Sequence, residues 1–148
     1  MSALKIREAE KEDLEQLLQL YTQLNSNEMP EFDRRLESIW NEILADNNHH
    51  LLVGLIDEQI ISSCVIVVVR NLTRSQRPYA LIENVITHEA HRNRGYASQM
   101  LNYARDIAKK ENCYKIMLLT GSKLESTLNF YRRAGYNSND KTAFIQWL

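Results

Sequence analysis

Glycine is scarce in this chain, 4 among 148 residues, and one glycine stands where phosphate chemistry is at home. Gly95 lies in His91-Arg92-Asn93-Arg94-Gly95-Tyr96-Ala97-Ser98, after a strand-like run and at the start of a helical one. Backbone amides at such a turn point outward unpaired, the helix dipole adds partial positive charge, and the missing side chain lets a diphosphate come close. Arg92 and Arg94 add formal charge. The same spacing also fits a plain strand-to-helix turn with solvated arginines. No Gly-Lys-Ser or Gly-Lys-Thr follows, and the three-glycine dinucleotide fingerprint is absent, so simple nucleotides lose ground as ligands.

The elements that must hold this turn are legible from periodicity. Leu4 to Glu8 alternates and reads as a first strand. Leu14, Leu17, Leu18, Tyr21 and Leu24 then form one helical stripe from about Lys11 to Leu24, and Phe32, Leu36, Ile39, Trp40, Ile43 and Leu44 form a second. Leu51–Ile56 and Ile60–Arg70 read as strands joined by a turn at Asp57-Glu58-Gln59. The β-branched run Cys64 to Val69 lacks alternation, which predicts a central strand covered on both faces. Tyr79–Thr87 is a further strand, Gly95 to about Lys110 a helix, Lys115–Leu119 a strand, Glu125–Ala134 a short helix and Tyr136–Leu148 a terminal β segment. The order predicts a single α/β domain over residues 1–148, of mixed α+β character with a mixed central sheet. His49 and His50 read as loop residues.

Charge and composition exclude several classes of function. Lys plus Arg number 18 against 19 Asp plus Glu, a formal net charge of −1, without the basic excess that tracks nucleic acid. The longest apolar runs, such as Cys64 to Val69, fall far short of the ~18–20 residues that cross a bilayer. Neither a membrane span nor a signal peptide is expected. The 2 cysteines, Cys64 in an apolar run and Cys113 alone, form no zinc spacing and no secreted disulfide framework. The cytoplasm is the expected compartment, and no metal is expected.

Arg92, Gly95 and Ala97 stand in the register Arg or Gln, two residues, Gly, one residue, Gly or Ala. Farther on, Asn129-Phe130-Tyr131-Arg132-Arg133-Ala134-Gly135-Tyr136 has the form Phe-Tyr, three residues, Gly, aromatic. In both motifs and their order the sequence resembles the GNAT superfamily of N-acetyltransferases. The resemblance spans roughly Leu81 to Tyr136, and the strand-helix-helix opening is similar as well. It implies a splayed mixed sheet flanked by about four helices, in which strands Tyr79–Thr87 and Lys115–Leu119 diverge to admit the pantetheine arm of acetyl-CoA. It further implies that the backbone of Val85, Ile86 and Thr87 meets that arm near a bulge, while the amides of Arg92, Asn93, Arg94, Gly95, Tyr96 and Ala97 hold the diphosphate. Where family members often carry asparagine and alanine near the cofactor, this sequence has Leu124 and Thr127; Ser122, Lys123 and Ser126 are the nearby polar residues.

Moving an acetyl group from a thioester to an amine needs a proton acceptor, because an alkyl ammonium has a pKa near ~10.4. It also needs donors for the developing oxyanion, and it benefits from an acid at the departing thiolate. The resemblance assigns that acid to Tyr131, which on spacing alone shares a helix face with Leu124, Leu128 and Ala134 and reads as core. Glu83, between Ile82 and Asn84 in an otherwise apolar run, is the candidate base, acting directly or through water; burial there would raise its pKa. Bracing of neighbouring backbone is an equal reading of Glu83, and His88 and His91 are fallback bases. The acceptor implied is a small-molecule or peptide amine, entering past the connection that carries Glu28, Glu31 and Asp33. A non-catalytic acyl-CoA-binding or protein-interaction module on the same fold is the alternative. Thr142–Leu148, with Phe144, Ile145 and Trp147, can pack across the two-fold interface of a homodimer.

Overall fold

The computed structural model describes residues 2–148 and contains one five-stranded sheet in the order β1-β2-β3-β4-β5. These strands are β1 (Lys5–Glu8), β2 (His49–Ile56), β3 (Gln59–Val69), β4 (Tyr79–Thr87) and β5 (Ile116–Leu118). The first four are antiparallel neighbours, whereas β5 lies parallel to β4. The helices are α1 (Leu14–Tyr21), α2 (Arg34–Ala45), α3 (Tyr96–Lys110) and α4 (Glu125–Arg133). A parallel pair requires a crossover, and α3 supplies it. Among the described residues no helix is long and apolar enough to cross a membrane.

Two cores sandwich the sheet. Leu17 and Leu20 of α1 and Trp40 of α2 pack on Leu51, Val53, Val65 and Ile86. On the opposite face, Met100, Leu101, Ala104 and Ala108 of α3 cover Leu52, Cys64, Ile66 and Ile82. β3 is central and covered on both sides, as its unbroken apolar run requires. Gly54 of β2 has a packing reason: a Cβ there would stand 2.9 Å from the Met100 sulfur.

An ion pair fixes the first turn. Arg7 of β1 donates through both terminal nitrogens to the buried Asp13 carboxylate, at 2.5 and 3.0 Å, and Asp13 also accepts from the Glu10 amide. Burial pulls the Asp13 carboxyl upward, but the Arg7 and Glu10 bonds more than reverse this and hold it below its ordinary value.

Four local expectations are corrected. The first helical stripe opens as a 3₁₀ turn over Lys11–Asp13 and its α-helix stops at Tyr21, leaving Leu24 in a turn. Phe32 precedes α2, whose cap is Asp33 accepting from the Leu36 amide at 2.9 Å, and Phe32 is exposed. His49 and His50 open β2 instead of lying in a loop, and His50 Nδ1 is 2.5 Å from Glu8 Oε1 on the neighbouring strand. Residues 136–148 form no strand, and everything from Asn137 onward is exposed. The stretch holds strand-forming residue types, but these record only a local preference, and it joins no ladder of the sheet.

Candidate active site

The ladder between β4 and β5 is short. Ala80, Ile82 and the intervening Leu81 pair with Ile116 to Leu118, and there the pairing ends. From Glu83 onward the side of β4 turned toward β5 has no strand beside it. At the same level β4 carries a bulge: Val65 of β3 faces Glu83 and Ser63 faces Ile86, so β4 spends one residue more than its partner. Asn84 takes up the extra length with φ +52°. Asparagine tolerates the left-handed region better than most side chains, and a bulge redirects ladder groups outward.

A cleft of about 160 Å³ occupies this split. Glu83, Asn84 and Val85 form one wall and Leu118 to Gly121 the other; Tyr131 comes from α4, and Leu24 and Asn25 from the turn after α1. Glu83 and Tyr131 reach it from opposite faces of the sheet. Register with Val65 places Glu83 on the α1 and α2 side, while Tyr131 packs with the α3 core. Burial, with smaller contributions from Cys64 and Glu83, pushes the Tyr131 hydroxyl above its ordinary pKa. Glu83 itself is exposed. The desolvation expected of it is therefore absent, because the bulge lifts this stretch of β4 out of the apolar run.

Beyond β4, a 3₁₀ turn over Glu89–His91 leads into residues 92–95 and α3. Gly95 caps α3 with φ +80°, a conformation for which glycine has no Cβ penalty, and Asn93 sits at +60°. Gln99 is the first residue whose amide closes a helical bond, on the Gly95 carbonyl at 3.1 Å. None of the amides from Asn93 through Ser98 donates to a described carbonyl or side chain. Such unpaired donors, at the positive end of a 15-residue helix, suit an anion.

Arg92 uses its Nε to hold the Thr87 carbonyl at 3.0 Å, tying the loop to the end of β4. The remaining guanidinium nitrogens and the Arg94 side chain make no described hydrogen bond or ion pair. Ile86 and Thr87 are also braced, since Ser62 Oγ donates to the Ile86 carbonyl at 2.9 Å and lies 2.9 Å from Thr87 Oγ1.

A family model described as "Acetyltransferase (GNAT) family" matches residues 11–136. The chain belongs to this family. An Agrobacterium tumefaciens str. C58 protein described as an acetyltransferase is 34% identical, with 97% of this chain and 99% of that one aligned at a TM-score of 0.89. A Bacillus halodurans C-125 protein described as a transcriptional regulator is 27% identical, covering 98% and 100% at 0.85. Glucosamine-6-phosphate N-acetyltransferase from Arabidopsis thaliana, at 20% identity and TM-score 0.85 over 98% of each chain, shares the fold. The GNAT fold expected from the two motifs is thus the fold of this chain.

Other candidates are committed elsewhere. His88 Nδ1 accepts from the Ala90 amide at 3.2 Å, and Asp33 is the α2 cap. Ser122 Oγ accepts from the Leu124 amide at 3.3 Å, while Leu124 caps α4 and is largely exposed instead of sharing Tyr131's packed face. Burial pushes the Cys64 thiol up to about 12, which removes it as a nucleophile. Among the described residues no three His, Cys, Asp or Glu side chains gather as a metal-binding group.

Sequence reasoning missed Asn84, whose left-handed backbone forms the bulge, and Tyr21. The Tyr21 hydroxyl is buried toward Ser63 and Asn84 without closing a hydrogen bond to either. The available signal was the Glu-Asn pair inside an apolar strand, because such an interruption marks a bulge as readily as a catalytic carboxylate.

Proposed function

We propose that this GNAT protein transfers an acetyl group from acetyl-CoA to a primary amine by direct attack on the thioester. The observation that carries this reading is the run of unpaired amides from Asn93 to Ser98 at the open end of the β4 and β5 split. A diphosphate fits that run, with Arg94 and the free nitrogens of Arg92 adding charge. The bulged backbone around Val85, Ile86 and Thr87 borders the split and suits the amide groups of a pantetheine arm. Acetyl-CoA supplies the activated thioester, and the residues of this chain orient it and manage protons.

Tyr131 is the proton donor to the leaving sulfur. Burial raises its pKa and so favours the protonated form that a donor needs. Glu83, on the opposite face, takes the ammonium proton directly or through water, so the acceptor approaches from the side of α1 and α2. Exposed Glu28 and Glu31 on the connection between these helices favour a cationic small-molecule or peptide amine.

Acetyl-CoA should raise the melting temperature, since a ligand at ~100 times its dissociation constant adds ~2.7 kcal/mol to the folded state. No shift at millimolar ligand would refute the assignment. Tyr131→Phe should lower kcat by ~10²–10⁴ while leaving CoA affinity intact; an unchanged rate points instead to a non-catalytic acyl-CoA-binding module. Because burial raises Tyr131, kcat/KM measured against pH should climb toward pH 10 with no descending tyrosine limb below it.

A further inference from the structure

Charge is distributed unevenly over this chain. Residues 70–79, which connect β3 to β4, and residues 109–115, which end α3 and lead to β5, hold six of the 18 Lys and Arg side chains but only one, Glu111, of the 19 Asp and Glu. The two stretches form one surface. Arg77 donates through Nε to the Asn112 carbonyl at 3.2 Å and through a terminal nitrogen to the Cys113 carbonyl at 3.1 Å, and the Tyr114 amide donates to the Pro78 carbonyl at 2.9 Å. Arg74 and Lys115 stand 5.6 and 5.3 Å from the centroid of the Tyr114 ring, and Lys115 stands 5.4 Å from that of Tyr79. None of Arg70, Arg74, Lys109, Lys110 and Lys115 has a carboxylate partner among the described ion pairs. The loop is also held in a costly shape. Arg74, Ser75 and Gln76 have φ of +54°, +57° and +58°, three consecutive left-handed residues without a glycine, at ~1–2 kcal/mol each. Asn71 Nδ2 fastens it, donating to Thr73 Oγ1 at 2.9 Å and to the Arg77 carbonyl at 3.2 Å. Leu72, in the same loop, is 88% exposed.

We propose that this surface binds an acidic segment of a partner protein, with Leu72 meeting an apolar residue of that segment. Cations without a carboxylate of their own attract a carboxylate-rich chain, and arginine and tyrosine are residue types enriched where proteins meet. A loop already fixed by Asn71 and Arg77 loses little freedom on binding, and a strained turn whose three side chains are all polar serves what it presents, not a core. The occupant is a short segment and not an extended polyanion. Outside these two stretches the molecule is net negative, so a bilayer surface or a nucleic-acid duplex would also face that negative remainder. A single strand binds by stacking its bases on free aromatic rings, whereas the Tyr79 and Tyr114 rings are half-buried and already carry Lys115 and Arg74. The surface is also remote from the candidate active site: α3, 15 residues long, puts ~22 Å between the glycine turn at its start and the lysines at its end. Docking here leaves the cleft open, and it does not rest on acetyl transfer.

Fluorescence anisotropy of a fluorescein-labelled peptide of ten glutamates around one leucine, with acetyl-CoA absent, tests this. The full chain should bind the peptide at about 50 mM salt and lose ~tenfold in affinity at about 300 mM, because pairing between exposed charges is screened. Arg70→Glu with Arg74→Glu, and separately Lys109→Glu with Lys110→Glu, should each weaken binding by ~tenfold or more. Leu72→Ser should weaken it by ~threefold. Arg34→Glu with Arg35→Glu on α2 makes the same change in net charge and should leave binding as it was. All of these positions are exposed, so circular dichroism should show every variant folded. No binding at about 1 mM peptide, an equal loss in the α2 variant, or undiminished binding in either patch variant would overturn the proposal. So would tighter binding of decathymidylate or of phosphatidylserine vesicles than of the peptide, since that would assign the surface to another class of partner.

Discussion

Two regions of the molecule are built to different standards. Residues up to Ala108 enclose every buried side chain, on both faces of β2, β3 and β4. The region from Lys109 onward contributes β5, α4 and a solvent-exposed segment, none of them with a buried residue. The candidate site lies on the seam. Glu83, Asn84 and the loop before α3 belong to the packed body, whereas Tyr131 and the wall from Leu118 to Gly121 belong to the looser part. A cleft between a rigid wall and a loosely packed one can widen for a long ligand without breaking a core, because stability is distributed unevenly and functional elements come from its weak end.

The sharpest way to break this comparison is one chemical change made in both regions. Ile66→Ala in β3 should cost ~2–5 kcal/mol in urea unfolding, since a fully buried site loses transfer energy and retains a cavity. Ile116→Ala in β5 should cost less, about 1–2 kcal/mol, because Ile116 is only partly buried against the α3-side core. Equal losses would remove the distinction between the two regions.

Between these effects lies the Arg7–Asp13 pair. Asp13→Asn should cost ~3 kcal/mol at neutral pH, as expected when a buried pair loses one partner. The Asp13 pKa is lowered in the fold, so its contribution is complete above the unfolded value near 3.8 and is lost as pH falls through the folded value. Wild type and variant should therefore keep their difference in stability down to about pH 4 and converge only as pH falls further, through the lowered folded value.

A last set of effects is confined to alkaline pH. Burial holds the Cys64 thiol and the Tyr136 hydroxyl at about 12, above their ordinary values of 9.0 and 10.0. Their contributions are complete below the unfolded values and disappear as pH rises through the folded ones. Melting temperature should fall progressively from about pH 9 to 12, and Tyr136→Phe should flatten the upper part of that decline. A flat profile would mean that these groups are more hydrated than their packing indicates.

Much of the fold was legible in order. Apolar periods of two and of 3.6 located each strand through β5 and each helix, because one-sided burial writes itself into spacing. The turn before α3 was legible because a glycine between a strand-like and a helical run stands out where glycine is scarce. The terminal segment misled, because strand-forming residue types record a local preference for a sheet and do not supply a partner strand. Leu124 misled as well, since a position at helical spacing from Tyr131 proved to be a cap.

The amino-acid order alone determined the order of helices and strands through α4, where the glycine turn before α3 sits, and the GNAT resemblance carried by Arg92, Gly95, Ala97 and the Phe130-Tyr131 motif. Those are local properties, set by side-chain spacing and backbone conformational cost. Only the tertiary structure decided that the β4 and β5 ladder stops after Ile82, that the bulge falls at Asn84, and that Glu83 and Tyr131 approach one cleft from opposite faces. Strand register and edge exposure depend on contacts between residues far apart in sequence, and no spacing within a single segment encodes them.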